Sequence, residues 1–435
     1  MNILTWNELN ETEKQTCLRR PSVARQEMEE SVRAIIEAVR KNGDVAIKQF
    51  TKQFDKVELS ELSVNRKEIT DAYAMVEQDT LEAMNLAISR IRDFHELQIS
   101  ETVSYEKDGV TCLQLRKPIQ SVGLYVPGGS APLISTVMML AVPAAVAGCP
   151  NKIICTPANA EGQINPNILV ASDLCGIDKI YKIGGAQAIA AMAFGTETVV
   201  KANKIFGPGN AWVTLAKQIC SETAEGASQD LPAGPSEVMV IADATANAEF
   251  VAWDLLSQAE HGVDSQVVLL STERDLLEKV SEIIGKSITS LSRKNIIEGA
   301  LKNSRLVLVK DIKQAIEISN QYAPEHLILQ IAESEKYLNQ IDAAGSVFLG
   351  PWTPESLGDY ITGSNHVLPT YGYAKSYSGL SLKDFMLTIS IQRASESGLM
   401  TVGPSAERLA KLEGLQAHAQ AIAVRRKSLA GDNHE

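Results

Sequence analysis

The feature that most constrains the fold is a regular alternation of short apolar runs with helix-like segments, between about residues 121 and 350. The runs of a first set end at Gly or Pro and are "SVGLYVPGG", "NKIICTPA", "DKIYKIGG" and "NKIFGPGN". A second set comprises "SEVMVIAD", "SQVVLLST", "RLVLVKD", "EHLILQI" and "GSVFLG". Strands that alternate with helices form parallel sheets with right-handed crossovers. The pattern therefore predicts an α/β fold with two α/β units.

The length of the chain agrees with more than one domain. It has 435 residues, and at roughly 150 residues per domain this favours two or three domains. We predict a short N-terminal arm, a discontinuous first α/β domain, a second α/β domain and a small C-terminal helical domain. Their ranges are 1–21 for the arm, 22–124 with 237–380 for the first α/β domain, 125–236 for the second, and 381–435 for the helical domain. We expect the N-terminal helices to pack on the α/β unit that starts near residue 237.

Composition excludes several classes of function. The formal net charge is −12, which argues against a basic nucleic-acid face and against binding to anionic membranes. No apolar run approaches the ~20 residues of a membrane span, and the polar start "MNILTWNELNETEK" is not a signal peptide. The six cysteines form no C-x-x-C pair, which is typical of reduced thiols in a cytosolic protein. We therefore predict a cytoplasmic protein without nucleic-acid or membrane partners.

A predicted helix over 247–261 ends in polar residues that need an explanation. Asp254, Gln258 and His261 fall on one stripe of this helix, and Gly262 stops it. A histidine at a helix C-terminus also interacts favourably with the negative helix end. Its position alone therefore leaves a structural role open beside a functional one.

Three other places carry histidines beside acidic or glycine-rich neighbours. Glu325 precedes His326, and a carboxylate can orient an imidazole that acts as a general base, although a solvated loop pair is the alternative. Asp359 and His366 share the segment "ESLGDYITGSNH", where long loops are usually functional but Gly-Asp is also common in turns. His418 lies on the apolar side of the last predicted helix, where a core histidine is the usual interpretation.

Two or three imidazoles with a carboxylate suit zinc, which accepts N and O donors. The candidates do not form a local metal motif, because they spread from residue 258 to residue 418. Spacing alone leaves a metal site open. Mn²⁺ or Co²⁺ would also suit such a set of donors.

Glycine-rich turns follow three strands of the first set, at 127–132, 183–189 and 207–212. Each opens a helix, where backbone N–H groups can bind phosphate. None is a complete G-x-G-x-x-G motif, and tight-turn glycines are ordinary in α/β folds. We predict two Rossmann-like α/β domains with incomplete dinucleotide motifs.

Long segments of the chain resemble the histidinol dehydrogenase family. They run in order from about residue 120 to the C-terminus and include "VGLYVPGGSAPLISTVMMLAVPA", "KIFGPGNAWVTLAK", "DLPAGPSEV", "DLLSQAEHG", "SNQYAPEHL", "PESLGDY", "GSNHVLPTYG" and "GLQAHA". The resemblance implies an enzyme that oxidises L-histidinol to L-histidine through histidinal, in the final steps of histidine biosynthesis. It further implies two NAD⁺ reduced per turnover, one Zn²⁺ per subunit, and a homodimer with shared active sites.

The resemblance also implies roles for individual residues. It implies an acid–base pair of Glu325 and His326, and the zinc ligands Gln258, His261, Asp359 and His418, the last from the partner subunit. The implied substrate contacts are the same six residues together with Ser236, His366 and Glu413. The implied NAD contacts are Tyr125, Gln187 and Asn210. The C-terminal helical region would then be a dimerisation domain.

Four alternatives follow from the same residues. Cys112 or Cys149 as a nucleophile would form a thiohemiacetal in the aldehyde step. A zinc dehydrogenase for another cationic amino alcohol would share the pocket chemistry. A non-catalytic nucleotide-binding scaffold would have no need of Glu325, His326, Asp359 and His366 together. A metal other than zinc is the fourth.

Overall fold

The structure is a computed structural model that describes residues 2–21, 26–99, 102–128, 132–232 and 234–431, with only the backbone described at residue 26. Part of the glycine turn predicted at 127–132 lies outside these residues. The chain divides into two compact units, each described here by itself. Unit 1 comprises Met1–Gln98 and Ile119–Phe385, and unit 2 comprises Ile99–Pro118 and Met386–Glu435.

The strands are short, as the sequence pattern predicts. In chain order they are β1 (Ile3–Thr5), β2 (Ser104–Lys107), β3 (Val110–Pro118), β4 (Ser121–Tyr125), β5 (Asn151–Thr156), β6 (Lys179–Lys182), β7 (Lys204–Phe206), β8 (Ser228–Gln229), β9 (Glu237–Ala242), β10 (Gln266–Ser271), β11 (Arg305–Leu308), β12 (His326–Gln330), β13 (Ser346–Leu349) and β14 (Met386–Ala394).

Helices occupy most of the segments between the strands. They are α1 (Glu11–Cys17), α2 (Gln26–Phe54), α3 (Arg66–Tyr73), α4 (Gln78–Glu96), α5 (Ile134–Val146), α6 (Pro166–Leu174), α7 (Gly185–Phe194), α8 (Ala211–Ser221), α9 (Ala248–Ala259), α10 (Arg274–Ser287), α11 (Lys294–Lys302), α12 (Ile312–Tyr322), α13 (Glu355–Tyr360), α14 (Glu396–Leu412) and α15 (Gln416–Gly431). Short 3₁₀ helices lie at Trp6–Glu8, Ile288–Ser290, Ser334–Gln340, Tyr373–Lys375 and Leu382–Phe385.

Unit 1 contains two parallel sheets, which confirms the predicted α/β class. The six-stranded sheet has the order β1-β11-β10-β9-β12-β13, and the five-stranded sheet has the order β6-β5-β4-β7-β8. Every pairing within them is parallel. Residues 3–5 of the predicted N-terminal arm form an edge strand of the larger sheet.

The central strands β9, β10 and β12 are buried throughout and mainly apolar, because both faces of the sheet are covered. In β9, Val238 and Val240 belong to one buried cluster, whereas Met239 and Ile241 belong to another. Side chains alternate between the faces of a strand, so these two clusters lie on opposite faces of the sheet.

The N-terminal helices pack differently from the prediction. Helix α2 contacts α7 and α8, α3 contacts α6, and α4 contacts α5, so all three lie on helices of the five-stranded sheet. The expectation that they pack on the unit starting near residue 237 is therefore wrong. Helix α7 is apolar except for Gln187 and is buried from Ala186 to Ala193. Such a helix needs cover on the side away from its sheet, and α2 supplies it.

Unit 2 contains a three-stranded antiparallel sheet in the order β14-β3-β2, with α14 packed against α15. The predicted hairpin between β2 and β3 is confirmed, and Asp108 and Gly109 at its turn have φ of 52° and 73°. These values suit the type I′ turn that favours Asp-Gly. The helical prediction for residues 381–435 missed β14, although Leu387, Ile389 and Ile391 alternate with polar residues as in a strand.

None of the helices in the described residues combines the length and the apolarity that crossing a membrane requires. The predicted domain boundaries stay a prediction.

Candidate active site

A cavity of about 360 Å³ in unit 1 gathers residues that are far apart in the sequence. The predicted site residues that line it are Ser236, His261, Glu325, His326, Asp359 and His366. Ser236 and His326 lie at the amino ends of β9 and β12, whereas Gly207 to Gly209 follow the carboxyl end of β7. The cavity thus joins the carboxyl edge of the five-stranded sheet to the amino edge of the six-stranded sheet.

His326 is the most enclosed imidazole of this cavity. Its Nδ1 lies 3.0 Å from the backbone carbonyl of Glu237 and therefore donates its proton there. Nε2 is then the basic nitrogen, and in the described part of the chain it has no hydrogen-bond partner. Burial lowers the pKa of His326 to about 4. The ring is therefore neutral near pH 7 and able to accept a proton at Nε2.

Three carboxyl groups surround this ring. Oε2 of Glu325 and Oε1 of Glu355 lie 3.7 Å and 3.8 Å from Nδ1, and Oδ1 of Asp359 lies 3.9 Å from Nε2. Burial raises the pKa of both glutamates well above the usual range, and neighbouring carboxylates raise it further. Such a cluster favours a bound cation, because positive charge stabilises the ionised carboxylates.

Glu355 is a site residue that the sequence interpretation missed. It begins α13, lies one helical turn before Asp359, and is only 1% exposed. The spacing of the two carboxylates in "ESLGD" places them on one face of a helix, which is the signal that identifies Glu355. Ligand atoms of His326, Glu355 and Asp359 all lie within 4.8 Å of one another.

Gln258 and His261 lie at the end of α9, as predicted, but the helix stops at Ala259. Arg293 Nε donates to the carbonyl of Glu260 at 2.8 Å, which satisfies the exposed helix end. Gln258 is fully buried, and within the described residues neither its amide oxygen nor its amide nitrogen has a hydrogen-bond partner. A buried, unpaired amide is costly unless a ligand binds it.

His366 lies in the glycine-rich segment after α13. Asn365 anchors this segment by donating from Nδ2 to the carbonyl of Met139 at 2.7 Å. Burial lowers the pKa of His366, and its Nε2 lacks a partner among the described residues. His366 therefore presents a second neutral imidazole to the same cavity.

The buried side-chain atoms of Gln258, His326 and His366 that have no partner among the described residues would suit a divalent cation with N and O ligands. Asp359, one of the predicted zinc ligands, lies close enough to His326 and Glu355 for the three residues to hold a metal ion. Gln258, with its unpartnered amide, and His261, which lines the cavity, remain predicted ligands. Zinc suits this chemistry because it accepts imidazole and carboxylate ligands.

Two predicted site residues belong to unit 2. Glu413 follows the last residue of α14, and His418 lies in the first turn of α15. Both side chains are exposed in the single chain. Their predicted roles, including a ligand donated to a partner subunit, stay predictions.

The predicted NAD contacts lie at the carboxyl edge of the five-stranded sheet. Tyr125 ends β4, and its hydroxyl accepts from the N–H of Gly185 at 3.0 Å, while Gln187 is buried in α7. Asn210 caps α8 through Trp212 N–H and Val213 N–H. Among the described residues these three do not line the cavity, although Gly207 to Gly209 beside Asn210 do. Their roles as NAD contacts stay predictions.

The two cysteines considered as nucleophiles lie away from the cavity, and Cys149 is also buried. Cys149 is buried, its thiol contacts the carbonyl of Phe385, and burial raises its pKa to about 11. A thiol with a raised pKa is a poor nucleophile because the thiolate is the reactive form. Cys112 lies on β3 of unit 2, and neither cysteine is among the residues that line the cavity of unit 1.

We expect Asp254→Asn to stabilise the metal-free protein above pH 7. Burial raises the pKa of Asp254 to about 7 from 3.8, so between these values the folded state holds a proton that the unfolded state has lost. Folding stability therefore falls as pH rises to about 7, and the penalty is complete above it. Asparagine removes this penalty, which corresponds to roughly 2 to 4 kcal/mol.

The measurement is the free energy of unfolding in urea at several pH values. The advantage of the Asp254→Asn variant over wild type grows from pH 4 to pH 7 and then levels off. Asp71→Asn is the control, since its carboxylate is exposed on α3. An advantage of the Asp254→Asn variant that is independent of pH contradicts the raised pKa.

The family model, the relatives described below and a solved structure all indicate the same family. The family model described as histidinol dehydrogenase matches residues 18–426. A histidinol dehydrogenase of Legionella pneumophila is 48% identical over 431 residues, covering 99% of this chain and 99% of that one. A histidinol dehydrogenase of Colwellia psychrerythraea is 48% identical over 425 residues, covering 97% and 98%.

A solved structure agrees with these sequence matches. The crystal structure of histidinol dehydrogenase from Elizabethkingia anophelis superimposes with a TM-score of 0.94 at 47% identity, covering 99% of this chain and 98% of that one. The likeness therefore extends over both the fold and nearly the full length of the sequence.

Proposed function

This chain belongs to the histidinol dehydrogenase family, and we propose that it oxidises L-histidinol to L-histidine with zinc and two NAD⁺, by means of the Glu325 and His326 pair. It is an oxidoreductase that acts on histidinol, in the last steps of histidine biosynthesis. The observation that carries the mechanism is the neutral His326 ring, whose Nε2 has no partner in the described residues and lies beside Asp359.

The zinc is held by Gln258, His261 and Asp359 of one subunit and His418 of the partner subunit. The buried, unpartnered amide of Gln258 supports this assignment, as does the position of Asp359 beside His326. Zinc held by these residues would bind the imidazole and amino nitrogens of the substrate and orient it. Sharing His418 makes the active enzyme a homodimer, and both active sites then depend on the subunit interface.

The remaining contacts fix the cationic substrate. The carboxylates of Asp359 and Glu413 would attract the ammonium group of free histidinol and would accept hydrogen bonds from its amino group once that group has lost its extra proton and can bind the metal. Ser236, Glu325, His326 and His366 surround the rest of the substrate in the cavity of unit 1. Tyr125, Gln187 and Asn210 contact NAD, which accepts one hydride in each oxidation step when it is bound.

The first step oxidises the alcohol to the aldehyde. His326 accepts the hydroxyl proton at Nε2 while the substrate carbon loses a hydride. The Nδ1–H of the ring stays on the carbonyl of Glu237 at 3.0 Å, which holds the tautomer that this step needs. The imidazolium formed in this way is stabilised by Asp359, whose Oδ1 lies 3.9 Å from Nε2.

The second step oxidises histidinal to the acid. Glu325 removes a proton from the water that adds to the aldehyde. His326, after releasing its first proton to solvent, accepts the hydroxyl proton of the hydrate as the second hydride leaves for NAD. The N–H of Glu237 donates to Oε2 of Glu325 at 2.8 Å and thereby orients the carboxylate. The two residues thus divide the proton transfers of the two oxidations.

The decisive assay is NADH production from L-histidinol before and after chelation. We expect two NADH for each histidine formed. After metal removal we expect the rate to fall by at least about tenfold, because substrate positioning is lost. Added Zn²⁺ restores the rate, whereas Mg²⁺, which prefers oxygen ligands, does not. Full activity in protein that metal analysis shows to be free of zinc contradicts the assignment of the metal.

Parallel assays separate the alternatives. A panel of cationic amino alcohols tests whether His366, Glu413 and Ser236 select histidinol over related substrates. Activity restored equally well by Mn²⁺ or Co²⁺ leaves the site intact but changes the identity of its metal. If no substrate yields NADH, the result favours the alternative that the chain is a non-catalytic nucleotide-binding scaffold.

A further inference from the structure

A largely buried ion pair of Arg20 and Glu237 lies next to the acid–base pair of Glu325 and His326. Glu237 begins β9, and its side chain is 2% exposed. Arg20, from the N-terminal arm, donates from Nε and Nη2 to the two carboxylate oxygens at 2.5 Å and 2.8 Å. Glu237 Oε1 also accepts from the N–H of Tyr371 at 2.8 Å. The Glu237 carboxylate therefore connects the N-terminal arm to the segment that contains Tyr371.

The backbone of Glu237 holds both members of the acid–base pair. Its N–H donates to Oε2 of Glu325, and its carbonyl accepts from Nδ1 of His326. A shift of this one residue would move Glu325 and His326 together. The preceding residue, Ser236, lines the cavity, so the same shift would reach the substrate side.

Arg20 in turn is held from several directions. Nη2 also donates to the carbonyls of Tyr322 and Ala323, at 2.8 Å and 3.3 Å, and the guanidinium lies 3.8 Å from the centre of the Tyr322 ring. Ala323 has φ of 54°, and Glu325 follows it by two residues. Arg20 therefore contacts two places next to the catalytic pair. One is the end of α12, just before Glu325, and the other is Glu237 at the start of β9.

We propose that Arg20 is a positioning residue for the oxidation of histidinol, acting through Glu237 on Glu325 and His326. The inference rests on the proposed function for its chemistry, but its geometry stands on unit 1 alone. A planar guanidinium makes two parallel bonds to one carboxylate and still reaches two carbonyls, which the ammonium of lysine cannot reproduce. The N-terminal arm thereby becomes part of the active-site scaffold.

The test variant is Arg20→Lys, which keeps the charge and most of the buried volume. We expect kcat for both the alcohol and the aldehyde steps to fall about 10- to 100-fold, because a displacement of about 1 Å can cost about 10²-fold. The KM for NAD stays within about twofold, since the Arg20 contacts in the described residues are with Glu237, Tyr322 and Ala323 and not with a predicted NAD contact. Arg19→Lys is the matched control, because its side chain is exposed one residue earlier.

Hydrogen exchange followed by mass spectrometry supplies a readout that does not depend on activity. Peptides covering residues 235–240 and 325–330 exchange faster in the Arg20→Lys variant than in wild type or in the Arg19→Lys variant. All assays run below the onset of thermal unfolding of each variant. If the Arg20→Lys variant does not fold, Arg20→Ala with added guanidinium ion replaces it, and recovery of kcat is expected with guanidinium but not with methylammonium.

The outcomes distinguish the two proposals. Wild-type protein that produces no NADH from L-histidinol overturns the proposed function, while the exchange rates still report on the contact of Arg20 with Glu237. A folded Arg20→Lys variant with wild-type kcat and wild-type exchange overturns the role of Arg20. So does a loss of kcat that only follows the unfolded fraction, or guanidinium treatment that leaves the Arg20→Ala variant inactive.

Discussion

Replacing His326 by asparagine is expected to lower kcat by about 10²- to 10⁴-fold in both oxidation steps, which is the usual range for removal of a general base. The change removes Nε2, the atom that accepts the hydroxyl proton in the first step and assists hydride loss in the second. The asparagine amide still donates to the carbonyl of Glu237, so the surroundings of Glu325 are kept. The measurement is NADH formation with histidinol and, separately, with histidinal as the starting substrate.

His95 offers a matched control for this substitution. Its ring is also buried, and its Nδ1 contacts a backbone carbonyl, that of Ile91, at 2.7 Å. His95 lies in α4 and is not among the residues that line the cavity. The His95→Asn variant therefore shows the cost of losing a buried imidazole without the cost of losing a base. Equal kcat values in the two variants would remove His326 from the mechanism.

The second large effect is expected for Glu325→Gln, and it is selective. The aldehyde-to-acid step slows by about 10²- to 10³-fold, because the glutamine amide does not accept a proton from water. The alcohol step falls much less, because His326 carries its proton transfer. Histidinal then accumulates when histidinol is the substrate, and trapping with semicarbazide followed by mass measurement detects it.

Glu355→Gln is the comparison variant for this selectivity. Glu355 is as buried as Glu325 and lies at a similar distance from His326, but the hydrogen bond to Glu237 belongs to Glu325. A general effect of losing negative charge beside His326 slows both steps alike in the Glu355→Gln variant. Equal losses in the two half-reactions of the Glu325→Gln variant contradict its assignment to water activation.

The local elements of this fold follow directly from the sequence. Short apolar runs predicted every strand of the two parallel sheets except the edge strands β1 and β8, and Asp108 with Gly109 predicted the hairpin of unit 2. These features depend on interactions between residues close in sequence, such as turn conformation and side-chain periodicity. The strand β14 was missed because a C-terminal helical pattern dominated the surrounding residues.

The candidate site could be predicted only in part. The histidines, Asp359 and Glu325 were conspicuous because polar residues stand beside strand ends and glycine-rich turns. Their roles rest on the resemblance to a family, because the residues come together only in the fold. The same cause explains why the sequence did not indicate Glu237 and Arg20, since neither a carboxylate at the start of a strand nor an arginine in an arm has a local signal of its burial. Glu355 does have a local signal, its helical spacing to Asp359, but that spacing does not show that the side chain is buried.

The sequence alone determined the alternation of strands and helices, since each element depends on its own apolar pattern and its turns. Only the tertiary structure decided that the N-terminal helices cover the five-stranded sheet and that Arg20 pairs with Glu237 across 217 positions of the chain. It also left the amide of Gln258 and the Nε2 of His326 buried without partners among the described residues. The physical reason is that burial and charge pairing depend on which surfaces meet, and distant surfaces meet only when the whole core has formed.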